Sequence, residues 1–402
     1  MPEHEPRNVT LVLCTAQGQV MGQLPPIVVT PGWWQDAAGI VAAVEQQYGL
    51  NVTVLRILSA SYPSPPGGPV TYLAETELAD AQPPLQPWDG ELPCSPQRPP
   101  YAKPGGPARD LAWARSVLED RGLRLTGPPR QVRTWNLSSL WRLPVEDGNV
   151  WLKHVPPFFA HEGVMLTQLR DAPVPRLLAH DGPRLLMAEI PGEDQYDAPE
   201  STLLAMVSIL VDLQVSWRHR VSGLLELGLP DWRAPALAEK IDDVVRRTAP
   251  ELPVDDRRVL SAFVDRLGDR FAEAAKCGVP DSLVHGDFAP GNARSDGRDL
   301  VLLDWGDCGV GHPLFDASAF LDRIPADAVP AVTRHWDSAW QAAEPGSDPG
   351  RARQVLAAVS AARQAVIYRG FLDRIEPSEH PYHRQDPATW LSRTANLVRR
   401  DQ

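Results

Sequence analysis

Apolar and polar positions change rhythm several times along the chain. Val9–Cys14 is an apolar run, Gln17-Gly18-Gln19 reads as a turn, and Val20–Leu24 reads as the returning strand. Ile40, Val41, Val44 and Tyr48 then recur at helical spacing, with Asp36 placed to cap a helix through Gln47 and Gly49 placed to end it. Val52–Leu58 and Pro69–Leu78 return to the strand pattern, joined by the turn-rich Pro63–Gly68. Residues 1–80 are therefore expected to form a small α/β domain. Nine prolines follow within residues 81–107. Proline fixes φ and lacks an N–H, so this stretch is expected to be a semi-rigid linker. A helix is predicted for Ala108–Arg121, stopped by Gly122. Strands are predicted at Gln131–Trp135, Leu140–Pro144, Val150–Val155 and Arg184–Ile190, with a helix at Phe159–Leu169 before the last. From Pro199 the spacing is mostly helical, broken by a loop and hairpin at 283–305. The fold class is expected to be α+β, with a strand-rich lobe over 108–195 and a helical lobe over 196–402.

Composition narrows the function classes. A length of 402 residues suits two or three domains. No apolar run approaches the roughly 20 residues of a membrane helix; Leu203–Val211 is interrupted by Ser208. Met1-Pro-Glu-His-Glu lacks a signal-peptide plan, so a cytoplasmic location is expected by default. Cys14, Cys94, Cys277 and Cys308 are scattered, which indicates neither disulfides nor a zinc site. The net charge of −12 makes nucleic acid a poor partner and suits a cationic small molecule better. Of 39 basic residues only Lys103, Lys153, Lys240 and Lys276 are lysine.

The chemistry concentrates in His285-Gly-Asp-Phe-Ala-Pro-Gly-Asn292, followed by Asp296-Gly297, the apolar Leu300–Leu303 and Asp304-Trp-Gly306. Asp-Gly is a hairpin turn signal. Folding back there puts Asn292 and Asp304 side by side at the open end, with Asp287 on the loop feeding them. Phosphoryl transfer needs a carboxylate to orient the acceptor hydroxyl and take its proton, and hard oxygen ligands for magnesium. Asp287 fits the first role; Asn292 and Asp304 fit the second. No Gly-Lys dipeptide occurs, which excludes a P-loop, and His161-Glu162 is not followed by the second histidine of a zinc helix.

This loop and the Leu303-Asp304-Trp305-Gly306 segment resemble the catalytic loop and metal aspartate of the aminoglycoside phosphotransferase and choline kinase family. The resemblance covers about residues 108–402. It implies a protein-kinase-like two-lobed fold, magnesium, ATP or GTP as co-substrate, and a small-molecule acceptor such as an antibiotic, amino sugar or amino alcohol. It also implies that Asp316, in Gly311-His-Pro-Leu-Phe-Asp316, braces the catalytic loop, and that His285 holds it by hydrogen bonds. A kinase-like small lobe needs a strand lysine for the nucleotide phosphates and a helix glutamate to hold it; Lys153 and Glu162 stand in those places. Ser138 and Ser139 lie where the family covers the phosphates. Glu189 and Ile190 lie in the connector that meets the nucleobase. In the C-terminal helices Asp322, Asp373, Glu376, Trp336, Tyr368 and Trp390 could meet a cationic acceptor, although each reads more readily as a solvated charge or a core aromatic.

Residues 8–80 resemble a Nudix domain through Val44, Gly49 and Leu50, but Ala43, Gln46 and Gln47 replace its metal-binding glutamates. An inert scaffold or ligand-sensing module follows from that resemblance; an unrelated α/β unit with Gly49 as a helix C-cap fits equally well. Two rival functions remain. One is a nucleotide-binding regulatory protein, which the intact Asp287, Asn292, Asp304 and Lys153 disfavour. The other is a protein kinase, for which no extended activation segment follows Asp304.

Overall fold

A computed structural model of the chain describes residues 6–30, 32–77 and 83–401. The end of the strand predicted to reach Leu78, and the first two residues of the predicted linker, lie outside them. The chain divides into two compact units. The first draws on Met1–Gly163, Leu177–Glu189 and Phe371–Arg384; the second draws on Val164–Arg176, Ile190–Gly370 and Gln385–Gln402.

The first unit begins with a mixed sheet of β1 (Arg7–Cys14), β2 (Val20–Gln23), β3 (Ile27–Val29), β4 (Val52–Ala60) and β5 (Gly68–Thr76). The order is β2-β1-β5-β4, with β3 also on β1, and β1 runs parallel to β5. Alternation along these strands sends Val9, Leu11, Leu13, Val54 and Tyr72 into one core, where Ile40 and Val44 of α1 (Ala38–Tyr48) meet them. Asp36 Oδ1 accepts from the N–H groups of Ala38 and Gly39, and Gly49 ends the helix at φ 64°.

The proline-rich stretch departs from the expected linker. Gln86 bridges to Gln23, Trp88 and Leu92 pack near Val12, Leu55 and Leu73, and Tyr101 is buried. Proline bars a segment from the interior of a ladder, but an extended segment can still lay its side chains on a sheet face. α2 (Gly106–Asp120) follows and places Ala114 and Leu118 against Leu143, Leu152 and Leu186 of a second sheet.

That sheet is antiparallel, in the order β6 (Arg130–Trp135), β7 (Ser138–Val145), β8 (Gly148–His154), β10 (Arg184–Ala188), β9 (Leu177–Asp181). α3 (His161–Gln168) comes between β8 and β9 in sequence. The two sheets are tied by backbone-like hydrogen bonds. Where the register of β4 shifts at Val54, the Gln131 side chain takes the place of a neighbouring strand, accepting from Val54 N–H at 2.9 Å and donating to its carbonyl at 2.7 Å. Thr134 N–H donates to the carbonyl of Gln35, and Ala37 N–H to that of Val132. The turn Pro377–Tyr382, from far along the chain, completes the unit. Its Glu379 accepts from Ile57 N–H at 3.0 Å, and the Tyr382 ring meets Trp34 and Trp135 edge-on.

The second unit is mainly helical: α4 (Glu200–Trp217), α5 (Val221–Glu226), α6 (Ala234–Thr248), α7 (Val254–Asp265), α8 (Leu267–Lys276), α9 (Phe315–Leu321), α10 (Val329–Ala343), α11 (Pro349–Leu372) and α12 (Asp386–Arg400). Leu237, Ile241, Leu260, Phe263, Leu356, Val359 and Leu391 share its core. The most apolar run of the sequence lies on α4 with Leu203, Met206, Val207, Leu210 and Val211 all buried, and no helix among the described residues is long and apolar enough to cross a membrane. Short strands are inserted between the helices. β11 (Glu193–Asp194), β13 (Ala293–Ser295) and β14 (Leu300–Leu302) form one sheet; β12 (Ser282–Val284) and β15 (Gly309–Gly311) form another.

Candidate active site

β12 delivers the chain to His285, and the loop that follows is held from below. Asp316, in the first turn of α9, accepts from His285 N–H at 2.8 Å and Gly286 N–H at 2.9 Å. Gln214 of α4 donates to the same carboxylate at 2.9 Å. Burial raises the Asp316 pKa, and His285, Arg363 and the donated N–H groups work against that rise. Gly286 has φ 92°, and a Cβ there would fall 2.1 Å from the Asp307 carbonyl oxygen, so the loop passes this point only as glycine. His285 Nε2–H donates to the Leu303 carbonyl at 2.9 Å and its ring packs on Trp305. The imidazole is thus committed to joining the loop to the hairpin.

Asp287 and Asn292 form one hydrogen-bonded pair. Asn292 Nδ2 donates to Asp287 Oδ2 at 3.0 Å and to its carbonyl at 2.8 Å. With the amide nitrogen committed, Asn292 Oδ1 is left as an acceptor. The hairpin of β13 and β14 turns at Asp296-Gly297, where Asp296 Oδ1 accepts from the N–H groups of Arg298 and Asp299 and Gly297 has φ 88°. Ala293 pairs with Leu302, and Leu303 N–H donates to the Asn292 carbonyl at 2.8 Å, so Asn292 and residues 303–304 meet at the open end. Asp304 sits there at φ 60° and ψ 65°, the one positive-φ residue other than glycine among the described residues. Such a conformation costs about 1–3 kcal/mol and is kept where the surroundings over-determine it. No group of three or more His, Cys, Asp or Glu side chains among the described residues could hold a metal by itself. The amide and carboxylate oxygens of Asn292 and Asp304 are the hard donors that magnesium prefers, in the small number it takes when phosphates and water supply the rest.

Three further residues shape this loop and were not singled out from sequence. Arg323 Nη1 donates to Asp287 Oδ1 at 2.7 Å. Arg363, on α11, is buried between Trp232 and Phe315 with Nη1 3.5 Å from the Gly286 carbonyl oxygen; burial lowers its pKa while Asp316, Asp307 and Asp287 oppose the drop. The Tyr196 ring, 66% exposed, covers the place where a Cβ of Gly291 would stand. Two of the three are arginines in a chain that uses arginine throughout, and no local motif marks them.

In the first unit, Lys153 of β8 reaches Glu162 of α3, Nζ to Oε1 at 2.7 Å, with the Glu162 side chain 3% exposed. Ser138 and Ser139 are buried, and their hydroxyls accept from the indole N–H groups of Trp135 and Trp141 at 3.1 Å. Glu189 pairs with Asn149 and lies 3.7 Å from Arg142. In the second unit, the Ile190 carbonyl accepts from Arg294 Nε at 2.8 Å. Of the acidic and aromatic residues proposed for a cationic acceptor, Trp336 is fully buried beside Phe288 and Phe320, Glu376 is buried against Arg98 and Arg56, and Asp322 pairs with Arg393.

Residues 145–355, just over half of the chain, match the phosphotransferase enzyme family abbreviated APH. The chain belongs to this family. The phosphotransferase has solved neighbours at low identity. It is similar to a candidate aminoglycoside phosphotransferase from Ralstonia eutropha, with 15% identity, 73% of this chain and 98% of that one covered, and a TM-score of 0.53. It is also similar to a choline kinase from Cryptosporidium parvum, with 8% identity, 72% and 95% coverage, and a TM-score of 0.51. Both likenesses speak to the fold, which is protein-kinase-like, with a strand-rich N-terminal region and a helical C-terminal region. No curated protein matches the phosphotransferase.

Proposed function

We propose that the phosphotransferase moves the γ-phosphoryl group of ATP or GTP, with magnesium, to a hydroxyl of a small polar molecule. The carrying observation is the Asp287–Asn292 pair at the open end of the hairpin that presents Asp304. Asp287 accepts the hydroxyl's hydrogen bond, aims its oxygen at the phosphorus, and takes the proton as the bond forms. Asn292 and Asp304 would hold magnesium, which would offset the phosphate charge. Lys153, kept extended by Glu162, binds nucleotide phosphates as a point charge. His285 and Asp316 keep the loop in shape. Ile190 and Glu189 belong to the connector against which the nucleobase rests. The N-terminal sheet acts as a scaffold, since Gln46 and Gln47 on α1 carry no charge with which to hold a metal.

The test is nucleotide consumption by the full chain with magnesium and a panel of hydroxyl acceptors, with Asp287→Asn as the blank. Acceptor-stimulated turnover that the substitution abolishes supports the assignment. Absence of magnesium–nucleotide binding, measured by titration calorimetry, overturns it.

A further inference from the structure

The chain as a whole carries a net charge of −12, but the side chain paired with Asp287 is a cation. Arg323 follows α9, and its guanidinium spends one donor, Nη1, on Asp287 Oδ1. The hydrogen bond and the ion pair that its side chain makes among the described residues both run through Nη1, which leaves Nε and Nη2 as further donors, and 37% of the side chain is exposed. Burial works against the charge, but Asp287, Tyr368 and Asp322 together outweigh it and the Arg323 pKa is raised. The guanidinium is therefore charged, fixed at one end and open at the other.

Of the carboxylates around it, two are engaged within the protein, while Asp307 and Asp386 add negative charge on the side of Tyr368. Asp322 pairs with Arg393 of α12. Asp316 is filled by the two loop N–H groups and Gln214. Asp304 is reserved for magnesium under the proposed function. Arg363 adds a second, buried positive charge beneath Gly286. An ammonium group placed near the reacting hydroxyl would meet the like charge of Arg323 within a few ångströms and be repelled by it. A carboxylate or phosphate would instead meet two free N–H donors in the planar geometry that suits bidentate binding.

We propose that Arg323 is a specificity-determining residue and that the acceptor carries an oxyanion, a carboxylate or a phosphate, close to the hydroxyl that receives the phosphoryl group. This rests on the phosphotransfer reading of Asp287. The hydroxyl oxygen forms the new bond to the γ-phosphorus as the bond from that phosphorus to the bridging oxygen breaks. Asp287 takes the hydroxyl proton, and the nucleoside diphosphate leaves. Arg323 holds the acceptor's oxyanion while Asp287 holds its hydroxyl.

Two matched series test the inference with the full chain, magnesium and ATP or GTP. One is glucose, gluconate, a glucose phosphate and glucosamine; the other is glycerol, glycerate, a glycerol phosphate and aminopropanediol. The acidic members are expected to stimulate nucleotide consumption most, and the carboxylate and phosphate arms tell the two oxyanions apart. Arg323→Gln should lower kcat/KM for the preferred acidic acceptor by roughly 10- to 100-fold, mainly through KM, and the neutral member by much less. Arg323→Lys should recover part of the loss. Stimulation by the ammonium members, or by none of the acidic ones, overturns the inference while leaving the kinase reading intact. An equal loss for acidic and neutral acceptors in Arg323→Gln also overturns it, because Arg323 would then only position Asp287. Failure to bind nucleotide would bring down the underlying phosphotransfer reading instead.

Discussion

Asp304 shows most clearly how one residue separates folding from chemistry. Its left-handed backbone is tolerated better by Asp and Asn than by other side chains, so Asp304→Asn keeps the shape and removes the charge. That variant is expected to unfold within about 0.5 kcal/mol of the parent in chemical denaturation, while magnesium-dependent turnover falls at least about 100-fold. A parallel loss of stability and activity would mark Asp304 as structural. Lys153 makes a second case. Removing its charge with Lys153→Met should raise the nucleotide Kd roughly 10- to 100-fold in calorimetry. A partner one or two turns away leaves a trace in sequence, as Asp36 does ahead of α1. Arg323 and Glu376 leave none, because their partners lie 36 or more positions away and are chosen by the tertiary fold.

Among the elements, the hairpin of β13 and β14 was legible because Asp296-Gly297 states its turn and the apolar Leu300–Leu303 its second strand, although of that run only Leu302 is fully buried. The stretch from Leu85 to Tyr101 was not legible, since its order comes from surfaces supplied by β1, β4 and β5 rather than from its own spacing. The turn Pro377–Tyr382 was hidden for the same reason. Its Glu379 carboxyl is pushed up to about 7 from an ordinary 4.5 by burial; Ile57 N–H works against the rise and Glu376 adds to it. A carboxyl that binds its proton more tightly in the folded state lowers stability as pH rises between its two values, here from about 4.5 to about 7. The unfolding free energy is expected to fall across that window, by up to about 3 kcal/mol, and Glu379→Gln should flatten the profile. An unchanged pH dependence in the variant would assign the effect elsewhere. Asp316→Ala removes the acceptor for two buried N–H groups and should destabilise by about 2–4 kcal/mol, read as a lowered Tm.

On the scale of the whole molecule, the boundary expected near residue 80 is bridged by Gln131, Thr134 and Ala37, each hydrogen-bonding across it. Expression of residues 108–402 alone should therefore give a chain that aggregates or melts well below the full protein. A soluble fragment with an unchanged Tm would show that the N-terminal sheet is a removable addition. The kinase-like order of strands and then helices was readable from periodicity, which is a local property; the fusion of the first two sheets was not, because it rests on the Gln131 side chain and a few backbone bonds between segments some 80 to 100 positions apart. The bond from Ile57 to Glu379 spans 322 positions. During synthesis at about 5–20 residues per second, β4 emerges from the ribosome well before its last partner exists. The first sheet must wait tens of seconds, with Ile57 N–H unpaired and the Trp34 ring without its Tyr382 neighbour, until residues 377–383 arrive.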